Sequence, residues 1–240
     1  MQYFGGKSRL AQPISQVINK LLLPNQTYVE AFCGSCNVIS LVDPHRIRIA
    51  NDLHYNLIQM WQQAQLDMSE FPDCVSQEQY YQIKAQGPDW LKGFVGFGCS
   101  FAGKYWHGYA RNSQGTNYAA RSRRSLWKKI QFLGDVQFSN TSYDQIPLHP
   151  QSLIYCDPPY ANATGYSTGK FDHSRFLHWC EKMAQEGHTV LVSEYADNIP
   201  QDWGTIWSKQ SSKAIRNNQN KCESTLEVLA SPNTNIAFIV

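Results

Sequence analysis

Short apolar segments alternate with amphipathic helical patterns through about the first seventy residues of the chain. Residues 28–32 and 47–50 are short apolar runs, and each is followed by polar or glycine residues. Apolar side chains recur at helical spacing over residues 10–21 and again over 53–61. Strands that alternate with helices in this way are typical of a parallel sheet covered by helices. The sequence therefore predicts an α/β fold.

The alternation stops near residue 67 and is absent up to residue 138. Strand patterns are scarce in this segment and turn residues are frequent. Ser76 and Gln79 have the spacing of a capping box, which predicts one helix, and residues 125–133 predict another. We interpret residues 67–138 as an inserted, mainly helical lobe.

The α/β pattern resumes after the inserted lobe. Asp172 is positioned to cap a helix over residues 173–186, and Gly187 to end it. Further strands are predicted at residues 153–156, 189–193, 226–229 and 236–239. We therefore predict one catalytic domain, formed by residues 1–66 and 139–240, with the lobe of residues 67–138 inserted in it.

Composition narrows the cellular setting. The chain has 240 residues, a formal net charge of +2 and seven cysteines, an odd number that does not suit a disulfide framework. The apolar run at residues 21–23 is far shorter than the roughly 20 residues that span a bilayer, and no secretory signal pattern opens the chain. We expect a cytoplasmic protein with free thiols and no membrane partner.

The tetrapeptide Asp157-Pro158-Pro159-Tyr160 directly follows the predicted strand at residues 153–156. Ligands of α/β proteins bind at the carboxyl edge of the sheet, where this tetrapeptide would lie. A carboxylate and a proline carbonyl can accept hydrogen bonds from a base amino group, and a tyrosine ring can stack on an extruded base. The alternative is a strand that ends in a Pro-Pro turn, with an aspartate cap and a packing tyrosine.

Other segments accompany the tetrapeptide in a fixed order. The chain opens with Tyr3-Phe4-Gly5-Gly6-Lys7, continues with Val29-Glu30-Ala31-Phe32-Cys33-Gly34 and then Asn51-Asp52, and carries Ser193-Glu194-Tyr195 after the tetrapeptide. In these motifs and their order, the chain resembles the Dam-type, D12-class N6-adenine DNA methyltransferases over nearly its whole length.

The resemblance implies a Rossmann-like S-adenosylmethionine-dependent methyltransferase fold with a target-recognition lobe. It implies S-adenosylmethionine as the cofactor and direct in-line methyl transfer to the N6 of a flipped adenine. The implied catalytic residues are Asp157, Pro158 and Tyr160. The implied cofactor-binding residues are Tyr3, Lys7, Glu30, Phe32, Gly34, Asp52 and Asp157.

Several of these positions also make physical sense by themselves. Gly34 allows close backbone approach to a ligand, and Asp52 at a strand end can accept both hydroxyls of a ribose. Lys7 can pair with a carboxylate, and Tyr3 can cover the cofactor. The alternatives are an ordinary glycine turn, a helix cap at Asp52 and a solvated charge at Lys7.

Cys36 departs from the family loop, which usually reads Phe-x-Gly-x-Gly. Its side chain could crowd the cofactor or point into the following helix. Cys33-x-x-Cys36 also has the spacing of redox and zinc sites, but no second Cys/His pair of suitable spacing accompanies it. We therefore expect no metal, and no cysteine is expected to act as a nucleophile.

The inserted lobe concentrates positive charge. No acidic residue lies between Asp89 and Asp135, whereas eight lysines and arginines do, interleaved with aromatic residues. This pattern predicts that the lobe contacts the phosphates of DNA, and we expect duplex DNA. The sequence is compatible with a monomer. The candidate DNA-binding residues are Lys104, Arg111, Arg121, Arg123, Arg124 and Lys128. The alternative is a solvated basic helix whose Leu126, Trp127 and Ile130 face the core.

Rival functions remain open at the level of sequence. An N4-cytosine methyltransferase would present the same geometry, although serine is commoner at the Asp157 position in such enzymes. Methylation of RNA or of a protein amide is a further alternative, with asparagine commoner there. A protein of this fold that binds DNA but has lost cofactor affinity is the alternative that is not an enzyme.

The polar loop at residues 161–171 is a candidate lid over the extruded base.

Overall fold

The structure, a computed structural model, describes residues 1–160, 171–216 and 222–233. Its strands belong to one seven-stranded sheet. They are β1 (Tyr28–Glu30), β2 (Arg48–Asn51), β3 (Gln137–Ser139), β4 (Leu153–Cys156), β5 (Thr189–Tyr195), β6 (Gly204–Arg216) and β7 (Cys222–Ser231). The α-helices are α1 (Ala11–Leu21), α2 (Tyr55–Leu66), α3 (Gln77–Gln86), α4 (Asp89–Gly98), α5 (Tyr118–Ile130) and α6 (His173–Gln185).

The strand order is β3-β2-β1-β4-β5-β7-β6. Strands β1 to β5 pair in parallel, and β7 pairs antiparallel with both β5 and β6. The chain runs outward from β1 to β3 on one side and from β4 onward on the other. The order therefore reverses between β1 and β4, and this is where open α/β sheets bind their ligands, at the carboxyl edge.

The predicted elements are largely confirmed. The capping box of Ser76 and Gln79 opens α3, and the side chain of Asp172 accepts a hydrogen bond from the backbone N–H of Arg175 to cap α6. Gly187, with φ of +89°, follows the end of α6. The predicted strand at 226–229 is the middle of β7. The predicted strand at 236–239 lies outside the described residues, as does the candidate lid except for Phe171.

Three elements were not predicted from the sequence. Strand β3 has only three residues, and helix α4 contains three glycines, which obscure its helical pattern. Strand β6 is largely polar in sequence and lies at the edge of the described sheet, where the described residues pair it with β7. The helix predicted at 125–133 begins earlier, as α5, where Asn117 caps it.

The helices of residues 67–138 share one core with the sheet. Phe94 of α4 and Leu126 of α5 belong to the same buried cluster as Trp61 of α2 and Tyr155 of β4. A second cluster, which contains Phe176 of α6, covers the other face. The proposed division into a catalytic domain and an inserted lobe stays a prediction, with its boundary at residue 138 falling inside β3.

Arg48 ties the inserted segment to the sheet. Its side chain is 1% exposed and donates hydrogen bonds to the carbonyls of Ile39, Val42 and Phe132. It also pairs with Asp135. An acidic partner and the hydrogen bonds of Nη1 and Nη2 compensate the buried guanidinium, although Nε has no partner among the described residues. The end of the inserted segment is therefore fixed to β2.

Within the described residues, no helix is long and apolar enough to cross a membrane.

Close packing of α4 on α2 generates a stability prediction. A β-carbon built at Gly93 would lie 2.0 Å from the carbonyl oxygen of Asn56, so Gly93→Ala must push the two helices apart. We expect a loss of about 1–3 kcal/mol in the free energy of unfolding, measured by urea denaturation. Gly134→Ala is the matched control, because a β-carbon there meets nothing within 4 Å. Equal stability of the two variants would contradict the packing.

Candidate active site

An ion pair joins the amino-terminal motif to the tetrapeptide after β4. Lys7 Nζ lies 2.8 Å from Asp157 Oδ1, and the two side chains are 10% and 17% exposed. The same ammonium group donates a hydrogen bond to the hydroxyl of Tyr160 and lies 4.1 Å from the centroid of its ring. The prediction that Lys7 pairs with a carboxylate is confirmed, and the alternative of a solvated lysine is wrong.

The surroundings of Asp157 suit its carboxylate to accept hydrogen bonds. Burial raises the pKa of this carboxyl group, and the positive charge of Lys7 acts in the opposite direction. Lys7 thereby helps to keep the carboxylate ionised in a poorly hydrated position. An ionised carboxylate accepts hydrogen bonds and cannot donate them, which suits it to hold an amino group.

Tyr160, the last residue of the tetrapeptide, contacts the end of β5. Its ring meets that of Tyr195 edge-on, with 4.7 Å between centroids. Burial raises the pKa of the Tyr160 hydroxyl well above its usual value, with the nearby charge of Asp157 acting in the same direction. The phenol therefore stays protonated at neutral pH. Pro158 and Glu194 are among the residues that line a cavity of about 140 Å³ near the ends of β4 and β5.

The loop after β1 lies against the amino-terminal motif. Gly34 has φ of +45°, and a β-carbon there would lie 3.0 Å from the ring of Tyr3, so the position requires glycine for both reasons. The indole N–H of Trp61 donates to the Gly34 carbonyl at 3.0 Å. Tyr3 thus lies over the loop, and α2 holds the loop from behind. The predicted cover of the cofactor by Tyr3 stays a prediction.

Asp52 is bound to the same loop. One of its carboxylate oxygens accepts from the backbone N–H of Gly34 and the other from that of His54, each at 2.9 Å. Burial raises the pKa of Asp52, and these two hydrogen bonds act against that rise. The N-cap of α2 is His54, so Asp52 is not the helix cap that the sequence also allowed. Each of its oxygens retains acceptor capacity for a ligand hydroxyl.

The side chains of Glu30 and Phe32 make their contacts inside the protein core. Glu30 is 2% exposed and accepts a hydrogen bond from the Tyr28 hydroxyl at 2.9 Å, and burial raises its pKa to about 8. The ring of Phe32 packs on the face of the sheet that α6 covers, with 5.7 Å between its centroid and that of the Phe176 ring. Their predicted part in cofactor binding stays a prediction, and the backbone of β1 and its loop is the part best placed for it.

Cys36 fills the position at which the family usually has glycine, and the backbone shows why glycine suits it. Its φ is +51°, in the left-handed region. Its side chain is fully buried in the core. It is not among the residues that line a cavity of about 380 Å³ beside the loop. Burial raises the pKa of both Cys33 and Cys36, as expected for inert thiols. Among the described residues, no group of three His, Cys, Asp or Glu side chains is placed to hold a metal.

The basic residues of the inserted segment differ in their surroundings. Arg111, Arg121, Arg124 and Lys128 are exposed. Arg123 instead pairs with Asp73 at 2.8 Å. Lys104 lies 4.3 Å from the centroid of the Phe4 ring, next to the amino-terminal motif.

Helix α5 presents two distinct faces. Leu126 is buried and Ile130 packs against the core, as in the alternative of a solvated basic helix. Trp127 is 56% exposed, so that alternative is wrong for Trp127. Residue 127 lies about 100° around the helix from residue 126, away from the buried face.

Lys129, on the inner side of α5, was not predicted to serve the site. It donates to the Ser35 carbonyl and lies 2.6 Å from Asn37 Oδ1 in the loop after β1. Its spacing from Ser122 and Leu126, seven and three residues before it, is the signal that places it on this inner face.

Comparison with known proteins agrees with this geometry. The model of the D12 class N6 adenine-specific DNA methyltransferase family matches residues 3–91 and 102–219, which include all the motifs described above. The match confirms the resemblance and, with the strand order, the expected Rossmann-like methyltransferase fold. A search of curated protein sequences finds no match.

Among solved structures, the search finds SMU.472, described as a candidate methyltransferase in complex with SAH. It is 10% identical, with a TM-score of 0.37, and the match covers 96% of this chain and 54% of that one. This chain therefore spans about half the length of that protein.

The buried thiols generate a reactivity prediction. Under limited treatment of the native protein with iodoacetamide, we expect Cys74, which is exposed, to be alkylated long before Cys33 or Cys36. Mass spectrometry of peptides reports the order of modification, and the same treatment in urea provides the control in which every thiol reacts. Early labelling of Cys36 would contradict its buried position and revive the redox interpretation.

Proposed function

We propose that this chain, which belongs to the D12 class N6 adenine-specific DNA methyltransferase family, transfers a methyl group from S-adenosylmethionine to the N6 amino group of adenine in DNA. The observation that carries the proposal is the Lys7–Asp157 ion pair. It brings the amino-terminal motif and the tetrapeptide together beside the Gly34 loop, at the point where the strand order reverses.

The residues at this point fit the cofactor. The Gly34 loop offers close backbone approach under the ring of Tyr3. Asp52, held by two backbone donors at the end of β2, is the acceptor for the ribose hydroxyls. When bound, the cofactor supplies an electrophilic methyl group, and the chain supplies position and polarity.

The tetrapeptide holds the target amine. The Asp157 carboxylate and the Pro158 carbonyl accept its two N–H groups, which leaves the nitrogen lone pair directed at the methyl group. Tyr160 provides a face for the extruded base. Lys7 keeps Asp157 charged and in place. Catalysis in this arrangement comes from positioning and fixed acceptors, and no covalent intermediate with a cysteine is required.

DNA is the proposed partner, with duplex DNA preferred and a monomer as the acting species. The exposed residues of α5 and of the loop before it form the proposed phosphate-binding surface, which comprises Arg111, Arg121, Arg124 and Lys128. Lys104, beside the amino-terminal motif, is placed nearer the catalytic edge. Arg123 has a smaller expected part because Asp73 already neutralises it. The proposed location is the cytoplasm.

Replacement of Asp157 tests the catalytic assignment. We expect Asp157→Ala to lower the rate of methyl transfer by at least about 10²–10³-fold, because the principal acceptor for the amine is lost. DNA affinity should stay nearly unchanged, since Asp157 is not part of the basic surface. Transfer of a radioactive methyl group to DNA and fluorescence anisotropy report the two quantities. An Asp157→Ala protein with full activity would overturn the assignment.

Charge removal on α5 tests the DNA surface. The triple variant Arg121→Ala, Arg124→Ala and Lys128→Ala should bind DNA more weakly, and the salt dependence of its affinity should fall by about 0.9 in log–log slope for each phosphate that it no longer neutralises. The single variant Lys20→Ala, on the exposed end of α1, serves as the control for charge elsewhere. An unchanged slope in the triple variant would mean that this face of α5 does not meet DNA.

A further inference from the structure

A cavity of about 380 Å³ lies between the amino-terminal motif, the loop after β1 and helix α5. Tyr3, Gly6, Ser35 and Lys129 are among the residues around it, and the polar side chains that line it include no carboxylate. The cavity thus adjoins the Gly34 loop and contains one basic side chain.

Lys129 is a partly buried cation without an anionic partner among the described residues. Its two hydrogen bonds go to neutral acceptors, the Ser35 carbonyl and Asn37 Oδ1, and leave one N–H without an acceptor among the described residues. The ammonium group also lies 6.0 Å from the centroid of the Trp61 ring. A charge removed from water is costly unless an opposite charge compensates it. The arrangement therefore favours an anionic ligand.

Glu30 is a buried carboxyl group whose charge raises the pKa of Lys129, but it forms no ion pair with the lysine. Burial raises the pKa of Glu30 to about 8, which weakens its negative charge near neutral pH, and its hydrogen-bond partner is Tyr28. Burial lowers the pKa of Lys129, so an anion bound in the cavity would stabilise the charged form of the lysine that α5 and the loop hold in place.

We propose that this cavity is an anion subsite for the carboxylate of the cofactor's amino-acid end, with Lys129 as the residue that binds it. The proposal rests on the proposed function, since it takes S-adenosylmethionine as the ligand. The cofactor is favoured over a DNA phosphate because Lys129 faces the Gly34 loop beneath Tyr3, whereas the exposed cations of α5 point outward.

The test compares two ligands that differ at the carboxylate. S-adenosylhomocysteine carries the amino-acid end, and 5′-methylthioadenosine lacks it while keeping the adenosine and a thioether. In Lys129→Met we expect the affinity for S-adenosylhomocysteine, measured by calorimetry, to fall by roughly 10- to 100-fold, because a charged hydrogen bond to its carboxylate disappears. The affinity for 5′-methylthioadenosine should stay within about twofold, because that ligand has no carboxylate for the lysine to bind.

Two further variants complete the design. Lys129→Arg keeps the positive charge and should recover much of the affinity that Lys129→Met loses. Lys20→Met removes an exposed charge of helix α1, which has no proposed part in binding, and should leave both ligands unaffected.

Other outcomes would overturn the proposal in distinguishable ways. Equal losses for both ligands in Lys129→Met would show that the lysine only supports the loop. Weaker DNA binding with unchanged S-adenosylhomocysteine affinity would assign the cavity to a phosphate. If the wild-type protein bound neither ligand, the proposed function itself would fail, and the subsite with it.

Discussion

The ion pair between Lys7 and Asp157 is the interaction on which the site depends. It joins the first loop of the chain to the end of β4, and both charges are largely removed from water. Loss of either partner would leave an uncompensated charge, which proteins tolerate poorly. While the pair is intact, Tyr3 lies over Gly34 and Tyr160 is fixed by Lys7. One ion pair therefore organises both the cofactor side and the target side of the sheet edge.

The inserted segment contributes to that edge as well as to the outer surface. Arg48 fixes its carboxyl end to β2, while Lys129 of α5 reaches the loop after β1. The exposed face of the same helix carries the cations proposed to meet DNA. One helix therefore carries both the surface proposed to bind DNA and the lysine that binds the loop proposed to hold the cofactor. The buried cluster continues from the sheet into this helix.

The sequence predicted the parts of this structure that depend on local pattern. Apolar runs located β1, β2, β4 and β5, and the residues at their ends located the site, because parallel strands bring their carboxyl ends to one edge. Helix α4 was missed since its glycines, Gly93 among them, are selected by close packing on α2. The role of Lys129 was hidden because charge in a sequence does not reveal which side of a helix faces a cavity. Cys36 showed only as a departure until its positive φ and burial placed it in the core.

The most direct test of the account is the identity of the base that the protein modifies. DNA from cells that express it can be digested for nucleoside mass spectrometry and sequenced with detection of modified bases. The account predicts N6-methyladenine, confined to one short sequence, and no N4-methylcytosine. Modification of cytosine at N4, or DNA that remains unmodified in the presence of soluble protein, would contradict it.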